Sequence, residues 1–76
     1  MYHYLPVIEI VESEEREKVP TCGIRVVKEE GDESKEIRYI PDVFTDLALG
    51  ERFAALCTRE QLDPIHLMDT IEDFMP

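Results

Sequence analysis

The first half of the chain alternates between apolar and polar positions, which predicts three β-strands. Residues 2–12, 19–29 and 35–43 are rich in tyrosine, valine and isoleucine, and charged or glycine-containing segments separate them. Because both connections are short, we expect an antiparallel meander. Pro6 cannot donate a ladder hydrogen bond, so the first strand should lie at an edge of the sheet or contain a bulge there. Gly23 indicates a bulge or a close contact in the second strand.

From residue 44 onward the apolar period lengthens from about 2 to about 3.6 residues, which predicts a helix over residues 46–60. Thr45 is the expected N-cap. Phe44 and Leu49 are spaced as a hydrophobic staple across it. Gly50 falls within the apolar arc, which indicates a close approach to a neighbouring backbone. The apolar positions that define this arc are Leu49, Phe53, Leu56 and Cys57.

A second helix is predicted to begin just after Asp63, its N-cap, with Pro64 in the first helical position. Leu62 and Leu67 are spaced as a staple around this start. The remaining residues place a continuous apolar stripe on one face, which should pack on the core. That stripe comprises Leu67, Met68, Ile71, Phe74 and Met75.

The resulting prediction is a single α+β domain over residues 1–76, with a three-stranded antiparallel β-meander followed by two α-helices packed on one sheet face (β-β-β-α-α). Two helices cover only one face, yet the first strand is apolar on both. Tyr2, Tyr4, Ile8 and Ile10 alternate with Leu5, Val7 and Val11. In the second strand, Cys22, Ile24 and Val26 alternate with Val27. A second apolar face predicts a protein partner or self-association, with Leu5, Val7, Val11 and Val27 as the candidate interface.

The charge of the chain restricts the classes of partner. The formal net charge is −10, from 18 acidic and 8 basic residues that are spread along the sequence. Nucleic-acid binding requires a basic stripe that displaces counterions from phosphates, and anionic membranes attract basic segments in the same way. We therefore expect no nucleic-acid and no membrane partner. A protein with a basic surface remains, as does the alternative that the chain is an acidic mimic of nucleic acid.

The two cysteines, Cys22 and Cys57, lie 35 positions apart and could form one disulfide. The N-terminus lacks the basic and long apolar regions of a signal peptide. We therefore expect reduced, buried thiols and a cytoplasmic location. Cys57 with His66 or His3 could in principle pair as nucleophile and base, but its position on the apolar arc favours a core thiol.

One polar stripe of the second helix carries His66, Asp69 and Asp73 at spacings that could hold a divalent metal ion. The alternative is an ordinary solvated face. No phosphate-binding glycine loop, nucleophile elbow or zinc signature occurs in the sequence. We therefore expect no enzymatic activity, no catalytic residues and no cofactor, and we retain a metal or small-ligand site at these three residues as an alternative.

Several segments resemble a family of short uncharacterised Firmicutes proteins, a domain of unknown function found in clostridial genomes. They are Tyr2-His3-Tyr4, Cys22-Gly23-Ile24, Ile40-Pro41-Asp42-Val43 and the run from Pro64 to Phe74. The resemblance implies a self-contained bacterial protein, and it implies no activity, cofactor or site residue. The sequence as a whole favours a non-enzymatic protein-interaction or regulatory module that binds another protein or forms a homodimer.

Overall fold

The computed structural model describes residues 1–74 and contains three strands and two α-helices in the predicted order. The strands are β1 (Tyr2–Glu12), β2 (Lys18–Glu30) and β3 (Glu33–Phe44). The helices are α1 (Leu47–Arg59) and α2 (Leu67–Phe74), and a single 3₁₀ turn at Pro64–His66 precedes α2. The predicted α+β class and the β-β-β-α-α order are confirmed.

The strand order is β1-β2-β3, so β2 is central and β1 is an edge strand. β1 and β2 pair antiparallel without a register shift, from Tyr2 opposite Lys28 to Glu12 opposite Lys18. Pro6 pairs with Ile24 within this unbroken ladder. Of the two alternatives for Pro6, the edge position is therefore the correct one, and there is no bulge in β1.

Gly23 lies at one of the two register shifts between β2 and β3. A Cβ atom at this position would lie 2.8 Å from the carbonyl oxygen of Ile40 and 3.0 Å from the hydroxyl oxygen of Tyr39. The backbone of β3 passes too close for any side chain here. The predicted bulge and close contact at Gly23 are both confirmed.

Both helices pack on one face of the sheet and share one hydrophobic core with it. At its centre the ring of Phe53, which is fully buried, lies 5.4 Å from the ring of Phe44 and 5.1 Å from that of Phe74. Edge-to-face contacts of this kind stabilise beyond simple burial. The buried apolar residues are Tyr4, Cys22, Ile24, Val26, Phe44, Phe53, Ala54, Cys57, Leu67 and Ile71.

The start of α1 differs from the prediction by one residue. Asp46, and not Thr45, is the N-cap: its backbone is extended, and its carboxylate Oδ1 accepts a hydrogen bond from the amide of Leu49 at 3.2 Å. Because the cap moves by one position, Phe44 no longer has staple spacing to Leu49. Phe44 instead ends β3 and packs in the aromatic core.

The start of the second helix is confirmed in part. The carboxylate of Asp63 accepts a hydrogen bond from the amide of Ile65 at 3.1 Å, and Pro64 occupies the first helical position. The first turn is 3₁₀, however, and the α-helix begins only at Leu67. Met68 is 45% exposed, so the buried stripe of α2 is narrower than predicted. Met75, which we placed on this stripe, lies outside the described residues.

Candidate functional site: the outer sheet face and the edge of β1

The sheet face away from the helices carries the predicted interface, which we call the outer patch. It comprises Leu5, Val7, Val11 and Val27. Tyr4 and Val26 are buried under the helices, so their neighbours in each strand point to the opposite side. Leu5 is 43% exposed, and the three valines are half-buried. The helices leave these four side chains uncovered, although neighbours on the same face shield the valines in part.

Tyr39 and Arg25 fill the centre of the outer face. Arg25 pairs with Tyr39 across the ladder, and its guanidinium carbon lies 6.0 Å from the centre of the tyrosine ring. The guanidinium also forms an ion pair with Glu36, at 2.7 Å. The tyrosine ring lies across Gly23, where its hydroxyl is buried without a hydrogen-bond partner in the described chain. The outer face is therefore a mixed surface, with apolar side chains around the ion pair of Arg25 and Glu36.

Sequence reasoning missed a second exposed apolar region, at Ile8 and Ile10. Alternation assigned both to the face under the helices, but they are 53% and 62% exposed. The last ladder pair of β3 joins Phe44 to Cys22, which is also the partner of Ile8 in β1. Beyond this point β1 and β2 continue as a two-stranded ribbon without a third strand, and we call residues 8–21, from Ile8 onward, the hairpin arm.

The lengths of the elements explain why the arm is uncovered. β2 has 13 residues and spans about 43 Å when extended, whereas α1, also of 13 residues, spans about 20 Å. The longest dimension of the molecule is 45 Å. Gly50, in the first turn of α1, lies over Cys22, so the helix starts where the arm begins. The helices therefore cover the sheet only from Cys22 towards Tyr2.

Along the covered part, two side chains of the α1 terminus close the free edge of β1. Thr58 Oγ1 accepts a hydrogen bond from the Tyr4 amide at 2.8 Å and donates one to the Tyr4 carbonyl at 3.2 Å. Gln61 accepts from the Tyr2 amide at 2.8 Å and donates to the Tyr2 carbonyl at 2.9 Å. Each side chain satisfies one amide and one carbonyl, as a neighbouring strand would. The free edge of β1 is thus capped at its first two outward-facing residues.

Gln61 makes its contacts from a conformation that is uncommon for a residue with a Cβ atom. Its φ is +50°, and it follows the C-cap of α1 at the position usually taken by glycine. The amide of Leu62 donates to the carbonyl of Cys57 at 3.0 Å, which completes a Schellman motif. Glycine would relieve this strain but could not bind Tyr2. The local strain at Gln61 is offset in part by the edge cap that its side chain forms.

We expect Thr58→Val to lower the free energy of unfolding by about 1 kcal/mol, because the isosteric valine leaves the amide and carbonyl of Tyr4 without their partner. Chemical denaturation measures the loss. Thr70→Val is the matched control, since within residues 1–74 the Thr70 hydroxyl makes one hydrogen bond, to the carbonyl of His66 in the 3₁₀ turn just before α2. Equal losses for the two variants would contradict a capping role for Thr58.

The three candidate metal ligands do not form a metal site. His66 belongs to the 3₁₀ turn and lies before the first residue of α2, whereas Asp69 and Asp73 lie within α2. All three are exposed. Within residues 1–74, no group of three or more histidine, cysteine, aspartate or glutamate side chains is placed to hold a metal ion. The predicted stripe assumed one continuous α-helix from Pro64, and the 3₁₀ turn, with its tighter winding, removes that continuity.

Both cysteines are free and buried, as predicted. Burial raises the pKa of the Cys57 thiol to about 11 from 9.0. A buried, protonated thiol is a poor nucleophile, so the pairing of Cys57 with a histidine has no support in the geometry. The Tyr4 hydroxyl donates to the carbonyl of Leu62 at 2.7 Å, and burial, followed by the nearby Cys57 and Asp63, raises its pKa as well.

These raised pKa values predict a loss of stability in alkali. When the pKa of an acid is higher in the folded than in the unfolded state, the unfolded state releases its proton first as the pH rises. The contribution to stability is therefore complete below the pKa of the unfolded state, and it is lost as the pH rises through the pKa of the folded state. The urea midpoint should therefore fall as the pH rises from about 9 towards 11, the range set by the Cys57 thiol. The Cys57→Ala variant should be less stable than wild type at neutral pH, but its urea midpoint should fall less steeply as the pH rises. An unchanged slope in that variant would contradict the assignment.

None of the helices within residues 1–74 is long and apolar enough to cross a membrane. Comparison with curated proteins and with solved structures finds no match to this chain. A family model, by contrast, matches along the whole sequence, from residue 1 to residue 76. The chain therefore belongs to a family of unknown function, DUF6514.

Proposed function

We propose that this protein is a non-enzymatic protein-interaction module that binds a partner through the outer patch and the hairpin arm. The observation that carries the proposal is the position of its exposed apolar residues. Leu5, in the outer patch, is 43% exposed, and Ile8 and Ile10, on the opposite face of the same strand, are 53% and 62% exposed. Single exposed apolar residues are ordinary on a protein surface, but large ones on both faces of one edge strand favour an interaction site there.

The hairpin arm gives this proposal an energetic basis. A two-stranded hairpin is only marginally stable in water by itself, and the arm lies beyond both the third strand and the helices. Complete burial of an isoleucine side chain stabilises by about 1.5–3 kcal/mol. Because Ile8 and Ile10 are 53% and 62% exposed, a partner that covers both would gain about 2–3 kcal/mol and would stabilise the arm at the same time.

The net charge of −10 favours a partner with a basic surface over a second copy of the chain. Two copies would bring equal negative charges together, and such repulsion opposes association. Light scattering on the purified protein tests the homodimer directly. A mass of about 9 kDa, close to the 8.9 kDa of one chain, is the expected result and leaves the surface free for another protein.

A photo-crosslinking experiment in the native host tests the proposal. p-Benzoylphenylalanine replaces Leu5 in one variant and Asp32 in the control, where Asp32 is exposed in the turn between β2 and β3. We expect one discrete crosslinked product at Leu5, identified as a single protein, and none at Asp32. Absence of a product at Leu5, or identical products at both positions, would contradict an interaction role for this surface.

A further inference from the structure

We propose that the outward-facing edge of β1 at Ile8 and Ile10 accepts an extended segment of a partner protein as an additional strand, and that this segment alternates apolar with basic residues. This inference rests on the proposed function and specifies its binding mode and the chemistry of the partner. Addition of a strand to a free sheet edge is a common mode of peptide recognition, in which the backbone provides affinity and the side chains provide selectivity.

The unbroken register of β1 with β2 determines which residues face outward. Tyr2 and Tyr4 direct their amides and carbonyls away from β2, towards Gln61 and Thr58. In an antiparallel ladder this orientation alternates with every residue. Because there is no register shift up to Glu12, the outward-facing positions after Tyr4 are Pro6, Ile8, Ile10 and Glu12.

The other free edges of the sheet are closed by devices that prevent strand addition. On β1, side chains cap Tyr2 and Tyr4, and Pro6 has no amide hydrogen. On β2, the stretch that extends beyond β3 carries Pro20 at a position facing away from β1. β3 has two register shifts in its ladder and an exposed, charged first half. Prolines, charges and bulges at edges are the usual protection against unwanted pairing.

In the part of the chain that the structure describes, Ile8 and Ile10 have no capping side chain, no proline and no bulge, and the only protective feature near them is the negative charge of neighbouring residues. Within residues 1–74, no turn, loop or side-chain group forms a hydrogen bond with the outward-facing amide and carbonyl of either residue. Their side chains are both more than half exposed and lie on the same side of the strand. An incoming strand could therefore form backbone hydrogen bonds with both residues and pack its own apolar side chains against both isoleucines.

The charges around this open edge specify the partner. Residues 9–17 contain five glutamates and one arginine, namely Glu9, Glu12, Glu14, Glu15, Glu17 and Arg16. Glu9 lies between the two isoleucines and points to the opposite face, where it can pair with a lysine or arginine on the added strand. A second copy of β1 fits poorly, since the register that pairs Ile8 with Ile10 sets two Glu9 carboxylates directly opposite each other.

Peptide binding followed by NMR tests the inference. The probe is a blocked heptapeptide in which lysine alternates with valine. Its controls are the same peptide with glutamate in place of lysine, and the lysine peptide with its alternate amides N-methylated. We expect the lysine peptide to slow hydrogen exchange at the Ile8 and Ile10 amides by about tenfold or more, and neither control peptide to do so.

Ile10→Pro provides the matched variant. The amide of Ile10 faces outward, so proline there leaves the β1–β2 ladder intact, as Pro6 does at its own position. We expect this variant to bind the lysine peptide at least about tenfold more weakly than wild type. Ile10→Thr keeps the backbone amide hydrogen, so this variant should lose less affinity for the lysine peptide than Ile10→Pro does. Far-ultraviolet circular dichroism and the NMR spectrum confirm that both variants fold.

Three outcomes would overturn the inference: no binding of the lysine peptide, equal binding by wild type and Ile10→Pro, or equal binding of the N-methylated peptide. None of them would affect the crosslink expected at Leu5, which tests the proposed function independently. A discrete crosslinked partner that is retained by Ile10→Pro would support the interaction module and reject strand addition as its mode.

Discussion

Replacement of Phe53 by alanine should remove about 3–5 kcal/mol of folding free energy, the cost of deleting a large aromatic side chain from a closed core. Phe53 is 0% exposed, and its ring contacts those of Phe44 and Phe74 at 5.4 and 5.1 Å. A domain of this length has a stability of about 4–11 kcal/mol in total. The variant should therefore be close to unfolded at room temperature, which circular dichroism and urea denaturation measure.

Ile65→Ala is the appropriate control for this experiment. Ile65 is similarly apolar but is 77% exposed in the 3₁₀ turn. Its truncation should change stability by less than about 0.5 kcal/mol. If Phe53→Ala were no more destabilising than Ile65→Ala, the aromatic cluster could not be the centre of the core.

Gly50→Ala is expected to destabilise the protein by up to about 2 kcal/mol, although alanine is the better helix former. A Cβ atom at Gly50 would lie 3.0 Å from the Cβ of Cys22 and still closer to its sulfur. Cys22 is fully buried, so its side chain cannot move aside freely. Overpacking costs about 1–3 kcal/mol, and contacts this short favour the upper part of that range, above the gain of about 1 kcal/mol in helix propensity.

Two further variants separate these opposing contributions. Ala55→Gly, at an exposed position of α1, measures the helix-propensity difference alone and should cost about 1 kcal/mol. Cys22→Ala removes the sulfur that clashes with the new Cβ atom of Gly50→Ala. The loss of unfolding free energy caused by Cys22→Ala should therefore be smaller in the Gly50→Ala background than in wild type. Additive losses in the double variant would contradict direct contact between helix and sheet at this point.

Features that depend on local chemistry could be predicted from the sequence. The Asp63-Pro64 pair combines a side-chain acceptor with a residue that suits the first helical position, and the structure has both in those roles. The strands follow from their alternation and the short turns between them. The start of α1 was misplaced by one residue because Thr45 and Asp46 are adjacent and either can cap a helix.

Features that depend on how far one element extends over another could not be predicted. The alternation of apolar and polar residues in β1 correctly placed Ile8 and Ile10 on the helix side of the sheet. This pattern, however, contains no information on where α1 begins relative to β1. The contacts of Thr58 with Tyr4 and of Gln61 with Tyr2 join residues more than fifty positions apart. The candidate interface was therefore identified from its apolar pattern on the outer face, whereas the open edge became visible only in the folded chain.

The pattern of protected and open edges unites these observations. The chain accepts a left-handed conformation at Gln61 so that its side chain can cap Tyr2, and it places prolines at outward-facing positions of β1 and β2. The edge at Ile8 and Ile10, which no side chain of residues 1–74 caps, is next to an acidic segment, residues 9–17. A solvent-exposed apolar edge of this kind is an aggregation hazard unless a partner covers it, and this is why we assign the arm a binding role.

Residue-resolved amide hydrogen exchange, with light scattering to establish that the sample is monomeric, tests the central claim most directly. The account predicts that the amides of Tyr2 and Tyr4, which are capped by Gln61 and Thr58, exchange slowly, while those of Ile8 and Ile10 exchange close to the rate of an unstructured peptide. Protection of Ile8 and Ile10 equal to that of Tyr4 in the lone subunit would show that this edge is already closed, and would contradict the account.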